Sequence, residues 1–353
     1  MNLNDRKAIV VTSVSRPTEA LLELARKSND CNDHFIVIGD ETSPQDFSIP
    51  GCNFYNMEQQ FATGYGYARQ CPVRHYARKN IGYLLAIERG ASQIIETDDD
   101  NIPLETFWQL RQRKQYIKIV KDKGWVNVYG YFTEEKVWPR GFPLESLRVH
   151  ATPWDALQFE NLDCPIQQGL ADHHPDVDAV YNLTMPLPRF FKRERQIALK
   201  SGAWCPFNSQ NTTWWPAVYP LLYLPAYCSF RLTDIWRSFI AQRIAWENGW
   251  CILFHGPTVW QNRNEHDLMK DFSEEVPGYI NNSAICNALE KLPIKGGVEN
   301  VPYDLRLCYE KLVSMSLIGK NELLLLDTWL DDLKQIGLSA IGKHAMQKIH
   351  RSS

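Results

Sequence analysis

The sequence lacks any C-x-x-C pair, and its nine cysteines, at 31, 52, 71, 164, 205, 228, 251, 286 and 308, make an odd number. That pattern fits neither a disulfide framework nor a zinc site, and it points to a reducing compartment. The N-terminus, Met1-Asn2-Leu3-Asn4-Asp5-Arg6-Lys7, lacks the apolar core of a signal peptide. An unbroken apolar run is missing too. The most apolar stretch, Trp214 to Phe230, is interrupted by Pro216, Pro220 and Pro225, which excludes it as a membrane span. These absences predict a soluble, cytoplasmic protein with no transmembrane segment. A large excess of charge of either sign is also absent: the net charge of -3 gives no electrostatic reason to expect a nucleic-acid partner.

What is present describes an ordinary globular chain. Its 353 residues suffice for one large domain or two smaller ones, with 44% hydrophobic and 22% charged residues. Twelve tryptophans and fifteen tyrosines suit stacking on sugar or base rings, although core filling accounts for most of them. The organising stretch is Ile94-Ile95-Glu96-Thr97-Asp98-Asp99-Asp100-Asn101-Ile102-Pro103. Ile94 and Ile95 end a buried strand, and four acids follow before a proline. Carboxylates this crowded repel one another unless a cation lies between them, and a hard divalent ion is the usual solution. A solvated acidic turn is the plain alternative.

The preceding residues favour the metal. Ala8 to Val14 reads as a strand, Glu19 to Lys27 as a helix and Phe35 to Ile38 as a second strand closed by Gly39-Asp40-Glu41. In an open α/β sheet ligands bind beyond the carboxyl ends of the strands, so Thr12, Ser13, Arg16, Asp40 and Glu41 share one rim. Asp40 is equally explained as a turn residue beside Gly39. Arg74, Arg78 and Lys79 then precede an amphipathic helix, Ile81 to Gly90. Basic groups in a first turn oppose the helix dipole, and an anion held there is the simplest reason for them. Ser92 to Ile95 is the strand that delivers the acids.

This order of strand, Arg78-Lys79-Asn80-Ile81-Gly82, helix, strand, acid cluster and Pro103 resembles the nucleotide-binding half of GT-A glycosyltransferases. More closely, the chain is similar to the STELLO-like (DUF288) family. The stretches that carry this are Arg78 to Ile87, Val137-Trp138-Pro139-Arg140-Gly141-Phe142-Pro143-Leu144-Glu145, Ile166 to Leu170, Pro175 to Val180, Pro206 to Thr212 and Asp234-Ile235-Trp236-Arg237, so it covers nearly the whole chain. The resemblance implies a GT-A-like, Rossmann-like mixed sheet flanked by helices and a glycosyltransferase using a nucleotide-diphosphate sugar with Mn2+ or Mg2+. It further implies nucleoside contacts from Asp40 and Arg16, diphosphate contacts from Arg78 and Lys79, and metal ligation by Asp98 and Asp100. Asp99 or Glu96 then turns toward ribose or backbone, and a register naming Glu96 and Asp98 stays open. In inverting GT-A enzymes an acid at the corresponding helix start deprotonates the acceptor hydroxyl, which makes Asp234 the candidate base, with helix capping as the plain alternative. A third metal ligand in the region after the last strand makes His255 a candidate and His266 its alternative. The acceptor is a glycan or lipid-linked glycan, with peripheral membrane contact left open. Two other activities stay in view: a nucleotide-sugar mutase similar to the reversibly glycosylated polypeptides, and a non-catalytic scaffold of a polysaccharide-synthesising complex.

The remaining segments are less specific. Lys114 to Lys123 reads as a helix-like basic run with a solvated face, and Val126 to Tyr129 as a strand. Arg140 reaches a phosphate or acceptor, or merely packs with Trp138 and Phe142. Residues 150 to 185 look like a connection returning to the sheet, and His173-His174 like surface. Polar Asn208 to Asn211 beside tryptophans suit sugar recognition. Asp234 opens a helix to about Glu247, Arg237 orients it or neutralises phosphate, and Trp250 to Phe254 is a strand. The expected organisation is a catalytic domain over residues 1–290 and a helical C-terminal subdomain with a basic tail over 291–353.

Overall fold

The structure is a computed structural model that describes residues 6–261 and 267–351. Its first hundred residues alternate β-branched runs with amphipathic helices, which builds a parallel sheet: β1 (Lys7–Thr12), α1 (Glu19–Cys31), β2 (His34–Ile38), β3 (Asn53–Tyr55), α2 (Met57–Ala62), α3 (Gly66–Gln70), α4 (Lys79–Glu88) and β4 (Gln93–Thr97). Strands β3, β2, β1 and β4 lie side by side and parallel. Helix α4 covers β1 and β2 closely at Gly82, where a Cβ would come within 2.5 Å of Val10 Cγ1. Only glycine permits that approach.

The chain continues through β5 (Asn101–Pro103), β6 (Lys114–Val120), β7 (Gly124–Trp125), β8 (Gln158–Asp163), β9 (Ile166–His173), α5 (Ala179–Thr184), β10 (Gln196–Leu199), β11 (Ala203–Trp204), β12 (Asn211–Trp214), α6 (Thr233–Glu247), β13 (Ile252–Gln261), α7 (Leu268–Glu290), α8 (Val301–Ser314) and α9 (Asn321–Arg351). The main sheet runs β3-β2-β1-β4-β12-β9-β13-β10-β6-β8, with β5 added on β13 and a separate β7·β11 ribbon. The protein therefore has a mixed α/β fold, a central mixed sheet flanked by helices and a helical C-terminal part, consistent with a GT-A-like fold. Helices α8 and α9 bring Tyr309, Leu326 and Trp329 into the same apolar cluster as Tyr67, Tyr83 and Tyr223.

Three segments differ from the sequence-based expectation. Lys114 to Val120 is a strand, because Ile117 and Ile119 point inward while Tyr116 and Lys118 face outward, a period of two. Val128–Tyr131 is a single 3-10 turn instead of a strand. Residues 150 to 185 are no connection: β9 lies between β12 and β13 in the middle of the sheet. Its glutamines conceal it. Buried Gln168 accepts from the backbone N–H of Asn208 (2.9 Å) and the Thr212 hydroxyl (3.0 Å), so its polarity is satisfied internally.

A fully buried ion pair fastens β4 to its neighbours. Glu96 is fully buried and accepts from Arg237 Nη1 (2.9 Å) and Nη2 (2.8 Å), from Trp214 Nε1 (2.8 Å) and from the Tyr83 hydroxyl. Both Glu96 and Arg237 thus serve the fold and, against expectation, line no part of the large cavity at the strand ends; Arg237 makes no hydrogen bond to Asp234 and acts on it through charge alone. Arg237→Met leaves the Glu96 carboxylate buried without its counter-ion and is expected to destabilise the protein by about 3–5 kcal/mol. Urea denaturation checks this, and a loss under about 1 kcal/mol would mean that water or another cation reaches Glu96.

Candidate functional site

Because β1, β2 and β4 are parallel, their carboxyl ends meet at one edge, and a cavity of about 590 Å3 opens there. Thr12 and Ser13 enter from β1, Gly39 and Asp40 from β2, and Asp98, Asp99 and Asp100 from β4. Strand β12 runs antiparallel to β4 with Asn211 opposite Thr97, so the residues just before β12, Ser209 and Gln210, fall beside the acids.

Each acid has one oxygen fixed. Asp98 Oδ1 accepts from the Tyr76 hydroxyl (2.8 Å) and Lys79 Nζ (3.0 Å), Asp99 Oδ2 from the Ser13 hydroxyl (2.6 Å), and Asp100 Oδ2 from Gln261 Nε2 (3.0 Å). The Thr18 side chain caps α1 and also donates to the Asp99 carbonyl, which ties the helix start to the acid loop. Burial, and then the charges of Asp98 and Asp99, push the Asp100 carboxyl up to about 7. Burial also raises Asp99.

A second charged group forms the opposite wall. Arg140 donates Nε (2.8 Å) and Nη2 (2.9 Å) to Asp176, and Nη1 and Nη2 (both 3.0 Å) to the two oxygens of Asp234. Asp234 Oδ2 also accepts from the Ser209 amide at 3.1 Å, with the Ser209 hydroxyl at the same distance. Burial alone would raise Asp234, but the Arg140 guanidinium outweighs it and holds the carboxyl well below the usual range. Tyr76 joins the two walls: its hydroxyl lies 2.8 Å from both Asp98 Oδ1 and Ser209 Oγ. Phe230, half exposed at the mouth, sets its ring edge against His75 and Tyr76.

A family model described as STELLO glycosyltransferases matches residues 231–348, the part that contains Arg231, Asp234 and α6. Two curated Arabidopsis thaliana proteins extend the likeness. "Probable glycosyltransferase STELLO2" is 29% identical over 300 residues, covering 78% of this chain and 38% of that protein. "Probable glycosyltransferase STELLO1" is 29% identical over 305 residues, covering 79% and 38%. The chain is thus similar to these STELLO proteins over most of its length. It spans only 38% of the length of these relatives. A solved structure titled "Crystal Structure of a Mycobacterial Protein" aligns over 79% of this chain and 75% of that one at 10% identity, and its TM-score of 0.38 is too low to carry an argument.

Of the site residues expected in this STELLO-like chain, Thr12, Asp40, Arg78, Asp98, Asp99, Asp100 and Asp234 all line the large cavity. The others do not. Arg16 lies exposed beyond the lining residue Ser15. Lys79 is fully buried behind the acids, with Nζ on Thr97 O (2.7 Å), the Tyr76 hydroxyl (2.7 Å) and Asp98, so its three protons are taken and it positions Asp98 instead of gripping diphosphate. Arg78 touches the cavity, but its guanidinium donates to Gln60 Oε1 (2.6 and 2.8 Å) and the Cys71 carbonyl (3.1 Å). Asn208 is buried and holds Asp176 (2.7 Å). His255 is not a third metal ligand for the acids, because its ring is buried in a separate cavity against Arg111. His266 lies outside the described residues. Sequence reasoning missed Tyr76, Asp176 and Gln261 as site residues; Tyr76 stands one turn before Lys79 and Asp176 lies within the Pro175 to Val180 stretch of the resemblance, while Gln261 carried no local hint.

Asp100 generates a pH dependence of known sign. Its folded carboxyl titrates at about 7 and its unfolded one near 3.8, so the folded chain keeps a proton that the unfolded chain loses. Stability therefore falls as pH rises through that window. In chelator, Asp100→Asn is expected to match the wild type at pH 4 and to exceed it at pH 8 by on the order of 2–4 kcal/mol in urea denaturation. Equal stability at both pH values would show that the acids do not crowd.

Proposed function

We propose that this chain is the catalytic domain of a GT-A-type glycosyltransferase that takes a sugar from a nucleotide-diphosphate donor. One observation carries the proposal: a single cavity joins the carboxyl ends of β1, β2 and β4, the acids after β4 and the Arg140–Asp234 wall. Its volume of about 590 Å3 lies within the ~300–1,000 Å3 typical of ligand sites. Thr12, Ser13 and Asp40 are suited to the nucleoside, as acceptors and donors at the strand ends. Arg74 and Arg231 also line the cavity, and although they pair with Glu41 (3.1 Å) and Glu275 (2.8 Å), each keeps guanidinium N–H groups that a diphosphate can take.

The acids suit Mn2+ or Mg2+. Asp98 and Asp100 fix only one carboxylate oxygen each, and the upward push on Asp100 is the strain that a cation relieves. Among the described residues no three His, Cys, Asp or Glu side chains form a metal cluster by themselves. The reading therefore needs the coordination common for Mg2+, in which one or two carboxylates are completed by substrate phosphates and water. When bound, the ion supplies neutralisation of the charge that develops on the departing diphosphate. Asp98 is held for that task by Lys79 and Tyr76.

Asp234 stands on the acceptor side with Arg140, and Phe230 offers an apolar ring face to a sugar. Arg140 and Ser209 keep Asp234 ionised at every working pH. In an inverting reaction it takes the acceptor proton only when the acceptor hydroxyl replaces part of the Arg140 fork, since both carboxylate oxygens are otherwise engaged.

Titration calorimetry with UDP, GDP and CDP, with and without Mn2+, tests the donor side. One of the three is expected to gain affinity with Mn2+, and Asp98→Asn to lose about tenfold or more of that gain, roughly 1.4 kcal/mol. No Mn2+-dependent binding of any nucleotide would end the proposal. On the acceptor side, Asp234→Asn should keep nucleotide affinity within about threefold and lose transfer by about 100-fold or more. Undiminished turnover would remove Asp234 from the reaction.

A further inference from the structure

A second cavity, of about 210 Å3, opens further back along β13, away from the acids. None of the residues that line it is acidic. Arg111 and His255 face each other in it, with Arg111 Nη1 2.7 Å from His255 Nε2. An arginine always donates, so Nε2 accepts and the ring proton sits on Nδ1, which points at the Gly256 carbonyl 2.9 Å away. His255 is therefore neutral, and burial together with the Arg111 charge drives its pKa well below the ordinary value. Gly169 makes room for the ring: a Cβ there would lie 2.7 Å from His255 Cε1.

Arg111 is left as an uncompensated charge. Arg113, two residues on, is forked onto Asp163 at 2.5 and 2.7 Å, so that carboxylate pairs with Arg113. Among the described residues no carboxylate pairs with Arg111, and its one side-chain partner is the neutral imidazole. Burial lowers the guanidinium to about 10, with no opposing charge to raise it. Arg111 as a residue is only partly buried, but a guanidinium drawn largely out of water without a carboxylate beside it is costly, and folded proteins keep one where a ligand or ion completes the pair. The amides of Gln109, Gln112, Gln115, Gln167 and Gln196 surround the same space. Two of them are fixed internally: Gln115 and Gln167 each donate 2.8 Å bonds to the Gln112 carbonyl. A neutral amide wall around one fixed cation accepts both an anionic head and hydroxyl groups beside it.

We propose that this second cavity binds a small oxyanion, a phosphate or carboxylate group, whose charge Arg111 pairs and whose hydroxylated carrier the glutamines contact. The site is separate from the proposed donor cavity and does not rest on the glycosyltransferase assignment.

Calorimetry and thermal unfolding of the purified chain with inorganic phosphate, acetate and a hexose 1-phosphate, in low-chloride buffer, test it. Wild type is expected to bind at least one of these saturably and to unfold at a higher midpoint when it is present. Tighter binding of the hexose phosphate than of inorganic phosphate identifies a sugar-borne anion, and equal binding a free one. Arg111→Met should weaken binding tenfold or more. Gln196→Glu, at the exposed rim, should do the same by placing a carboxylate beside the guanidinium, and it decides the matter alone if Arg111→Met does not fold. Absence of saturable binding by all three probes, or binding unchanged in the folded variants, would overturn the site.

Discussion

A single buried carboxylate, Glu96, sets the geometry on which the large cavity depends. A charge in that position is tolerable only when several donors converge on it, and they come to β4 from three elements: Tyr83 on α4, Trp214 on β12 and Arg237 on α6. Sliding any of these past the others would strand a charge. The pair therefore fixes where β4 releases the chain into Asp98–Asp100 and where α6 begins with Asp234 in its first turn. Two groups distant in sequence face one cavity because the ion pair beneath them permits one arrangement.

The next layer outward is built in the same way. Lys79 is the first residue of α4, where a positive charge opposes the helix dipole. Its reason for being there is internal: the ammonium fills the space between the Thr97 carbonyl, Tyr76 and Asp98, and so holds the turn that aims the acids. Tyr76 gives its one proton to Asp98 and accepts from the Ser209 hydroxyl, and the Ser209 amide holds Asp234. The continuous chain of hydrogen bonds orients both walls before any ligand arrives, and a preorganised polar site avoids reorganisation during reaction.

The parallel half of the sheet was legible because its signals are local. Runs of Ile and Val ending at Ser13, Gly39 or Asp98, separated by helical periodicity, force strand, helix, strand. The crowding of Asp98, Asp99 and Asp100 announced itself for the same reason. The other half was hidden by polar residues in sheet positions: lysines on the outward face of β6, and glutamines in β9 whose hydrogen-bond partners lie some forty residues away. The Arg140 wall was equally illegible as a unit, since it joins residues 36 and 94 positions apart. His255 shows the limit of spacing alone. Six residues before Gln261 on the same strand, it faces another cavity because β13 shifts register between His255 and Val259.

The environment separates the carboxyls of the large cavity into two kinds. Asp100 is pushed up by burial and by its neighbours' charge, so its ionisation responds to whatever cation or proton arrives. Asp234 is pushed down by Arg140 and stays ionised regardless. Carboxyls driven apart in this way are how one site assigns different roles to identical chemical groups. In the proposed reaction the donor wall is then the responsive one, exchanging a proton for a metal ion near neutral pH. The acceptor wall is a fixed dipole whose strength does not change with cation. Loss of the cation would thus discharge one side of the cavity and leave the other intact, and donor binding would fail before acceptor binding did.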